Sequence, residues 1–273
     1  MNKLLSIIIP VYNNASIGIA IDSVNKRESI ELIVVDGGSS QETKEVINSR
    51  KNVIDIFVSE PDKGISDAIN KGISLSSGKW IFVLAADDQI ICDPLNILKK
   101  YDDDSFDMIS GSIVAKTNDS RYYISNSDIN LNKLYLECSL RHPATFFKKS
   151  LYSRFGKYDL KFKCANDHEI FLRFILNGAK VKIIDDLIVL FAFGGISTSD
   201  PRKGFYEDQI LSDLYHVPFF KSRIHLLKRL VRYHLKKIVS VLHIPYKKKS
   251  LSSDEIKKIV DEHSEVVNKS WIS

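Results

Sequence analysis

Four short apolar runs, Leu4–Ile9, Ile30–Val35, Val53–Val58 and Trp80–Leu84, punctuate the first hundred residues. They are rich in β-branched and aromatic side chains and are apolar on both faces, as strands covered by helices on either side must be. Between them Ile17/Ile21/Val24, Val46/Ile47 and Ile65/Ala68/Ile69/Ile73 recur at spacings of three and four, the period of one buried helix face. Strand–helix–strand repetition with short links admits few topologies, because crossovers are right-handed and the strands they join are parallel. Ligands of such sheets bind outside the carboxyl ends of the strands. The segments to read are therefore Pro10-Val11-Tyr12-Asn13, Asp36–Ser40, Ser59–Gly64 and Ala85-Ala86-Asp87-Asp88. Each alone is explained as a turn. Carboxylates after three successive strands, brought to one sheet edge, ask for a chemical explanation.

The middle of the chain is less regular. Asp107–Val114, Arg121–Ile124, Lys180–Ile184 and Leu187–Phe193 read as strands, with Arg141–Phe147 a loop entering another. Lys149–Phe155 reads as a short helix ended by Gly156. Asp167-His168-Glu169 opens a longer helix ended by Asn177-Gly178.

With 273 residues, 44% apolar and 27% charged, the chain has the composition of a folded protein with ample core. Its net charge of +5 invites a nucleic-acid partner, but the charge is unevenly placed. Residues 1–213 carry a net −3, while ten Lys/Arg and no acid fall between Leu214 and Ser253. Cys92, Cys138 and Cys164 are widely spaced and suggest neither a disulfide framework nor a zinc knuckle. The opening apolar run stops at Pro10 with no cleavage site after it, and no later run is long enough to span a bilayer, so a cytoplasmic location is expected.

Adjacent Asp87 and Asp88 at a strand end repel each other unless water or a cation intervenes. Mg²⁺ or Mn²⁺ suits them, taking one or two carboxylates and completing its shell with phosphate oxygens. Asp36 stands where a carboxylate can accept from a nucleobase or ribose, or simply end a strand. There is neither a P-loop nor a G-x-G-x-x-G after the first strand, which removes the main support for kinase-like and nicotinamide-binding readings. His142 precedes Pro143, which predicts an extended residue that either meets a phosphate or is a structural histidine. Lys63, Arg202 and Lys203 are candidates for neutralising phosphate, and Gly194-Gly195-Ile196-Ser197 is permissive backbone. Asp167, read from the residues alone, is first a helix N-cap.

The ordered set of motifs resembles glycosyltransferase family 2. The set comprises Ile8–Asn13, Ile33–Ser39, Glu60–Gly72, Gly78–Asp88, His142–Phe147 and Asn166–Glu169, and the likeness covers about residues 4–200. It implies a GT-A fold, an α/β sheet that is mostly parallel and flanked by helices. It also implies inverting transfer of a sugar from a UDP-, GDP- or dTDP-sugar to an acceptor hydroxyl. By the family pattern Pro10, Tyr12, Asn13 and Asp36 hold the nucleoside with Asp62 and Lys63 nearby. Asp87 and Asp88 take the D-x-D-like position for metal and ribose, and Asp167 takes that of the base. His142 and Glu169 are the candidates on the acceptor side. Residues 1–100 would form the nucleotide half, 101–213 the acceptor half and 214–273 a basic helical tail.

Departures from the pattern keep two other readings open. Ala85 replaces the first D-x-D acid and Gln41 a second acid after the Asp36 turn, as in a non-catalytic nucleotide-sugar or glycan binder. A nucleotidyltransferase on a similar sheet would need an early basic, glycine-rich triphosphate loop, which is missing.

Ile224, Leu227, Val231, Leu235, Ile238 and Leu242 form one stripe of a predicted helix, with Arg229, Arg232 and Lys236 across from it and Lys247-Lys248-Lys249 after it. Such a helix either lies on anionic lipid through the stripe or packs on the domain with its basic face in water. The first alternative suits a lipid-linked glycan acceptor of surface-polysaccharide assembly, held at the cytoplasmic membrane face. No nucleic-acid-binding module is recognisable.

Overall fold

The computed structural model describes residues 3–102, 104–116, 122–192 and 201–241, together with 251, 252, 254–256, 258 and 259. Gly194–Ser197, Leu242 and Lys247–Lys249, singled out above, lie outside the described residues.

Strands β1 (Leu5–Val11), β2 (Ile30–Asp36), β3 (Ile56–Ser59) and β4 (Trp80–Val83) form the first half of a nine-stranded sheet, in the order β3-β2-β1-β4 and all parallel. They alternate with α1 (Ile17–Ser23), α2 (Gln41–Asn48) and α3 (Ile65–Leu75). The expectation of parallel strands holds for this half. Beyond β4 the sheet is mixed. β8 (Thr145–Lys148) runs antiparallel to β4 and to β6 (Met108–Lys116). β6 pairs parallel with β9 (Val181–Ala192) and antiparallel with β7 (Tyr122–Ser125). β5 (Gln89–Ile90) caps the edge against β9. The remaining helices are α4 (Pro94–Tyr101), α5 (Leu131–Leu134), α6 (Ser150–Phe155), α7 (Asn166–Leu176), α8 (Pro201–Leu214) and α9 (Phe219–Val241).

Alternation along β1 divides the core into two layers. Leu5, Ile7 and Ile9 pack toward α1 and α4 through Ile17, Ile21, Leu95 and Leu98, whereas Ile8 packs toward α3 and α7 through Ile69, Ile73, Ile170 and Phe171. Gly72 lets α3 lie close on the sheet, since a Cβ there would come within 2.4 Å of the Ile8 side chain. On the α7 side Phe147 and Phe171 stack with centroids 5.5 Å apart. Truncating either ring would cost about 3–5 kcal/mol.

Three boundaries differ from the sequence reading. Val53 belongs to a 3-10 turn, Lys51–Val53, and β3 starts only at Ile56. β1 runs through Pro10 to Val11 because β4 leaves it at the Ile8↔Val83 pair. No neighbour then asks Pro10 for an N–H. The stretches around Lys180–Ile184 and Leu187–Phe193 are one strand, β9, with its register against β6 shifted around Ser110–Ile113. Gly111 allows that irregularity, since a Cβ there would meet the Asp186 carbonyl at 2.8 Å.

Candidate active site

Three loops meet at the carboxyl ends of β1, β2 and β3. Asn13 adopts φ 48°, a left-handed turn that asparagine tolerates. Its N–H donates to Ser39 Oγ and its Oδ1 accepts from the Ser40 N–H, both at 2.8 Å. The Gly37 N–H donates to the Val11 carbonyl at 2.9 Å, completing the bond between the first two loops. Pro10 is buried and the Tyr12 ring stands out into solvent.

Asp36 is fully buried, and its two oxygens accept from the Ser39 N–H at 3.0 Å and the Ser59 hydroxyl at 2.6 Å. Its carboxylate therefore ties the second loop to the third. Asp62 is the partly exposed acid of the cluster. Its Oδ1 accepts from the Gly64 N–H at 2.8 Å, and its Oδ2 occupies the space that a Cβ on Gly37 would need, 2.3 Å away. Sequence reading listed Asp62 but missed this packing, whose only signal was glycine at the residue after Asp36. The Lys63 side chain is exposed, while its backbone N–H donates to Asp67 at 3.0 Å.

The Asp87-Asp88 turn folds back onto β9. Asp88 is fully buried, its Oδ1 accepting from the Ala192 N–H at 3.0 Å and its Oδ2 meeting no partner among the described residues. Burial pushes its pKa up to about 8, the Ala192 N–H pulls it down and the Asp87 charge adds to the rise. Asp87 is half-buried and also raised by burial. Among the described residues no cluster of three His, Cys, Asp or Glu side chains could hold a metal. The donor set is thus the adjacent pair, with one orphaned buried oxygen, which fits a hard ion that takes its other ligands from phosphate. An open cavity of about 860 Å³ adjoins Asp87, lined by α1, β5 and the ends of β6 and β9.

The start of α7 is tied to α3. The Asn166 Nδ2 donates to Ser66 Oγ at 3.0 Å, fixing α7 to the first turn of α3 directly after the Asp62 loop. Asp167 occupies the second position of α7, so it is not the N-cap. That place is Ala165, without a side-chain cap, and Glu207 of α8 collects the preceding N–H groups of Lys163, Cys164 and Ala165 at 2.8–3.2 Å. Asp167 Oδ1 accepts from the His168 N–H at 2.7 Å. Burial, reinforced by the charge of Asp208, raises its pKa.

Glu169 points elsewhere. It is buried and forms a two-pronged pair with Arg173 at 2.7 and 2.8 Å, and Arg173 in turn reaches the Phe155, Gly156 and Lys157 carbonyls after α6. This corrects the acceptor contact expected of it, because both its oxygens are committed to the arginine. His142 is likewise not extended. It opens a 3-10 turn, His142–Ala144, closed by the Ala144 N–H on the Arg141 carbonyl at 2.9 Å. Its Nε2 meets the Tyr158 hydroxyl at 2.6 Å, and burial pushes its pKa down to about 4, so the ring is neutral near pH 7. Arg202 lies over the Tyr233 ring, 5.7 Å from its centroid, in the α8–α9 contact, and Lys203 is exposed.

Parallel strands whose following loops gather at one sheet edge, continued into a mixed sheet flanked by helices, define an α/β domain of the GT-A type. The chain belongs to glycosyltransferase family 2, whose model matches residues 6–166. It is similar to the PGL/p-HBAD biosynthesis glycosyltransferase of Mycobacterium tuberculosis, 29% identical over 213 residues that cover 74% of this chain and 82% of the relative. It is also similar to a glycosyltransferase of Rickettsia typhi, 32% identical over 64% of this chain and 59% of that one. Among solved structures, S. aureus TarS 1-349 in complex with UDP-GlcNAc matches with a TM-score of 0.60 at 18% identity, over 77% of this chain; this chain spans 66% of that one. The mannosyltransferase PcManGT from Pyrobaculum calidifontis, in complex with GDP-Man and Mn²⁺, matches with a TM-score of 0.54 at 16% identity, covering 90% of this chain and 82% of that one. The fold is GT-A and the protein is a glycosyltransferase.

Proposed function

We propose that the protein transfers a sugar with inversion from a nucleoside-diphosphate donor to a hydroxyl of a lipid-linked glycan, as in surface-polysaccharide assembly at the cytoplasmic face of a membrane. The observation that carries this reading is the Asn166–Ser66 bond, which seats the α7 start, and with it Asp167, on the helix that follows the Asp62 loop. Donor-side and acceptor-side acids thereby share one scaffold.

Pro10, Tyr12, Asn13 and Asp62 line the nucleoside site, with Asp36 shaping it from below through Ser39 and Ser59. Lys63 is placed beside the same loop to meet phosphate. Asp87 and Asp88 would hold Mn²⁺ or Mg²⁺, which supplies charge stabilisation for the departing diphosphate. A relative in fold carries Mn²⁺ with its nucleotide sugar. Asp167 accepts the proton of the acceptor hydroxyl as its oxygen attacks the anomeric carbon. The C–O bond to the diphosphate breaks on the opposite face, and the nucleotide leaves with that electron pair. A base works best when its pKa approaches the working pH, and the upward shift of Asp167 is in that direction. His142, neutral and bonded to Tyr158, serves as a hydrogen-bonding wall of the acceptor side.

The test is a thermal-shift screen of UDP-, GDP- and dTDP-sugars with Mn²⁺, followed by transfer assays of Asp167→Asn with the donor that binds. Donor binding without transfer in that variant supports the reading. Full transfer in it removes Asp167 from the role of base.

A further inference from the structure

The tail helix turns its apolar stripe away from the protein. Phe220, Ile224, Leu227, Val231 and Leu235 recur every three or four residues of α9 and are 78%, 52%, 61%, 47% and 55% exposed. The opposite face does the packing: Ser222 is buried, and Arg229 reaches Asp208 of α8 and lies over the Phe205 ring. An amphipathic helix that packs on its own domain normally does the reverse. Here the inward side is filled by Ser222, Arg229 and the half-buried Leu226, Leu230 and Tyr233, so the stripe is left for something outside the fold.

The flanks of the stripe say what that is. Lys221, Lys228 and Arg232 stand exposed along one margin, with His234 along the other, where Arg223 is half-exposed and paired with Asp213 of α8 at 2.8 Å. No acid occurs from Leu214 to Ser253. An apolar strip bordered by cations matches the boundary between acyl chains and anionic headgroups, where side chains of this kind reach up to phosphate while the strip sinks below it. No described helix is long and apolar enough to cross a membrane, which leaves α9 to lie along one.

We propose that α9 docks flat on an anionic lipid bilayer through Phe220, Ile224, Leu227, Val231 and Leu235, with Lys221, Lys228 and Arg232 on its phosphates. This names the surface for the membrane-carried acceptor of the function proposed above and rests on that reading only for its purpose. The inner face also links the docked helix to the active site, since Arg229 binds Asp208 and Asp208 binds His168, the neighbour of Asp167. Docking thus brings the acceptor half of the domain to the membrane.

The experiment is flotation of the full chain with vesicles of phosphatidylcholine alone and of phosphatidylcholine mixed with phosphatidylglycerol, without donor. Binding to the mixed vesicles, weakened by salt, is expected, with little on the neutral ones. Leu227→Glu with Val231→Glu should abolish it. Lys228→Gln with Arg232→Gln should weaken it roughly thirtyfold, about fivefold for each charge removed from an anionic surface. All four positions are exposed, and unchanged melting temperatures will verify that the fold is kept. Equal binding to both vesicle types, indifference to the glutamate pair, or a stripe-dependent dimer in lipid-free sedimentation would each overturn the proposal. Nucleotide-sugar binding by the same proteins, measured in solution, fails or survives separately and so tests the transferase reading by itself.

Discussion

Asp208 Oδ1 and His168 Nδ1 lie 2.6 Å apart, joining α8 to α7 one residue from Asp167. The other ring nitrogen faces the Leu134 carbonyl, so both partners of the imidazole are acceptors and only its doubly protonated form satisfies them together. Burial alone would lower the histidine's pKa, but the Asp208 hydrogen bond and charge outweigh it and raise it above 6.5. A raised folded pKa stabilises fully below the unfolded value and loses that contribution as pH rises through the folded one. Asp208→Asn should therefore lower the melting temperature most below pH 6.5, with the gap narrowing at alkaline pH. Thermal denaturation across pH checks this; a gap independent of pH would mean a neutral ring.

Asp167→Asn should reduce transfer by about 10²–10⁴-fold, the usual contribution of a general base, and leave donor affinity unchanged. The wild-type pH–rate profile should show an acid limb above the ordinary aspartate pKa of about 3.9, since burial and Asp208 both raise this group. Steady-state rates set beside calorimetric donor titrations will separate the two effects.

Chelation of divalent ions should weaken binding of a nucleoside diphosphate far more than binding of the nucleoside alone. Asp87→Ala should make diphosphate affinity insensitive to added Mn²⁺. The half-buried position of Asp87 beside the orphaned Asp88 oxygen is the basis, and titration calorimetry with and without the ion is the measurement.

Gly37→Ala should displace the Asp62 carboxylate, whose Oδ2 lies 2.3 Å from the new Cβ. The expected result is a raised donor KM with kcat little changed, because Asp62 is proposed on the nucleoside side and Asp167 does not move. An unaltered KM would show that Asp62 contributes nothing to donor affinity.

Glu169→Gln should cost about 3 kcal/mol of stability, since it leaves the partly buried Arg173 without its counter-charge. Chemical denaturation gives the value. Transfer per folded molecule should be unaffected, in contrast with Asp167→Asn.

Much of the architecture of the first hundred residues was legible in the chain. The buried runs of β1, β2 and β4 and the α3 stripe are local patterns, and the first four strands pair parallel with one another as expected. The roles within the site were less legible, because they depend on which oxygens are already taken. Asp36 and Asp62 look alike as acids after strands, yet one is buried between Ser39 and Ser59 and the other abuts Gly37. Asp167 and Glu169 are two residues apart on one helix turn, and only packing against Arg173 commits the second. Glu207 and Asp208 escaped notice because their partners lie some forty residues away, at Ala165 and His168.

The sequence by itself determined the alternation of strands and helices, the sheet edge where the acidic loops gather and the amphipathic character of α9, since all three follow from periodicity along the chain. The tertiary structure alone decided which way α9 faces. Arg229 found two acidic partners within its reach, Asp208 and Glu137, and a buried charge must be paired. The helix therefore turned its Arg229 side inward and left its apolar stripe exposed, with Lys221, Lys228 and Arg232 beside it.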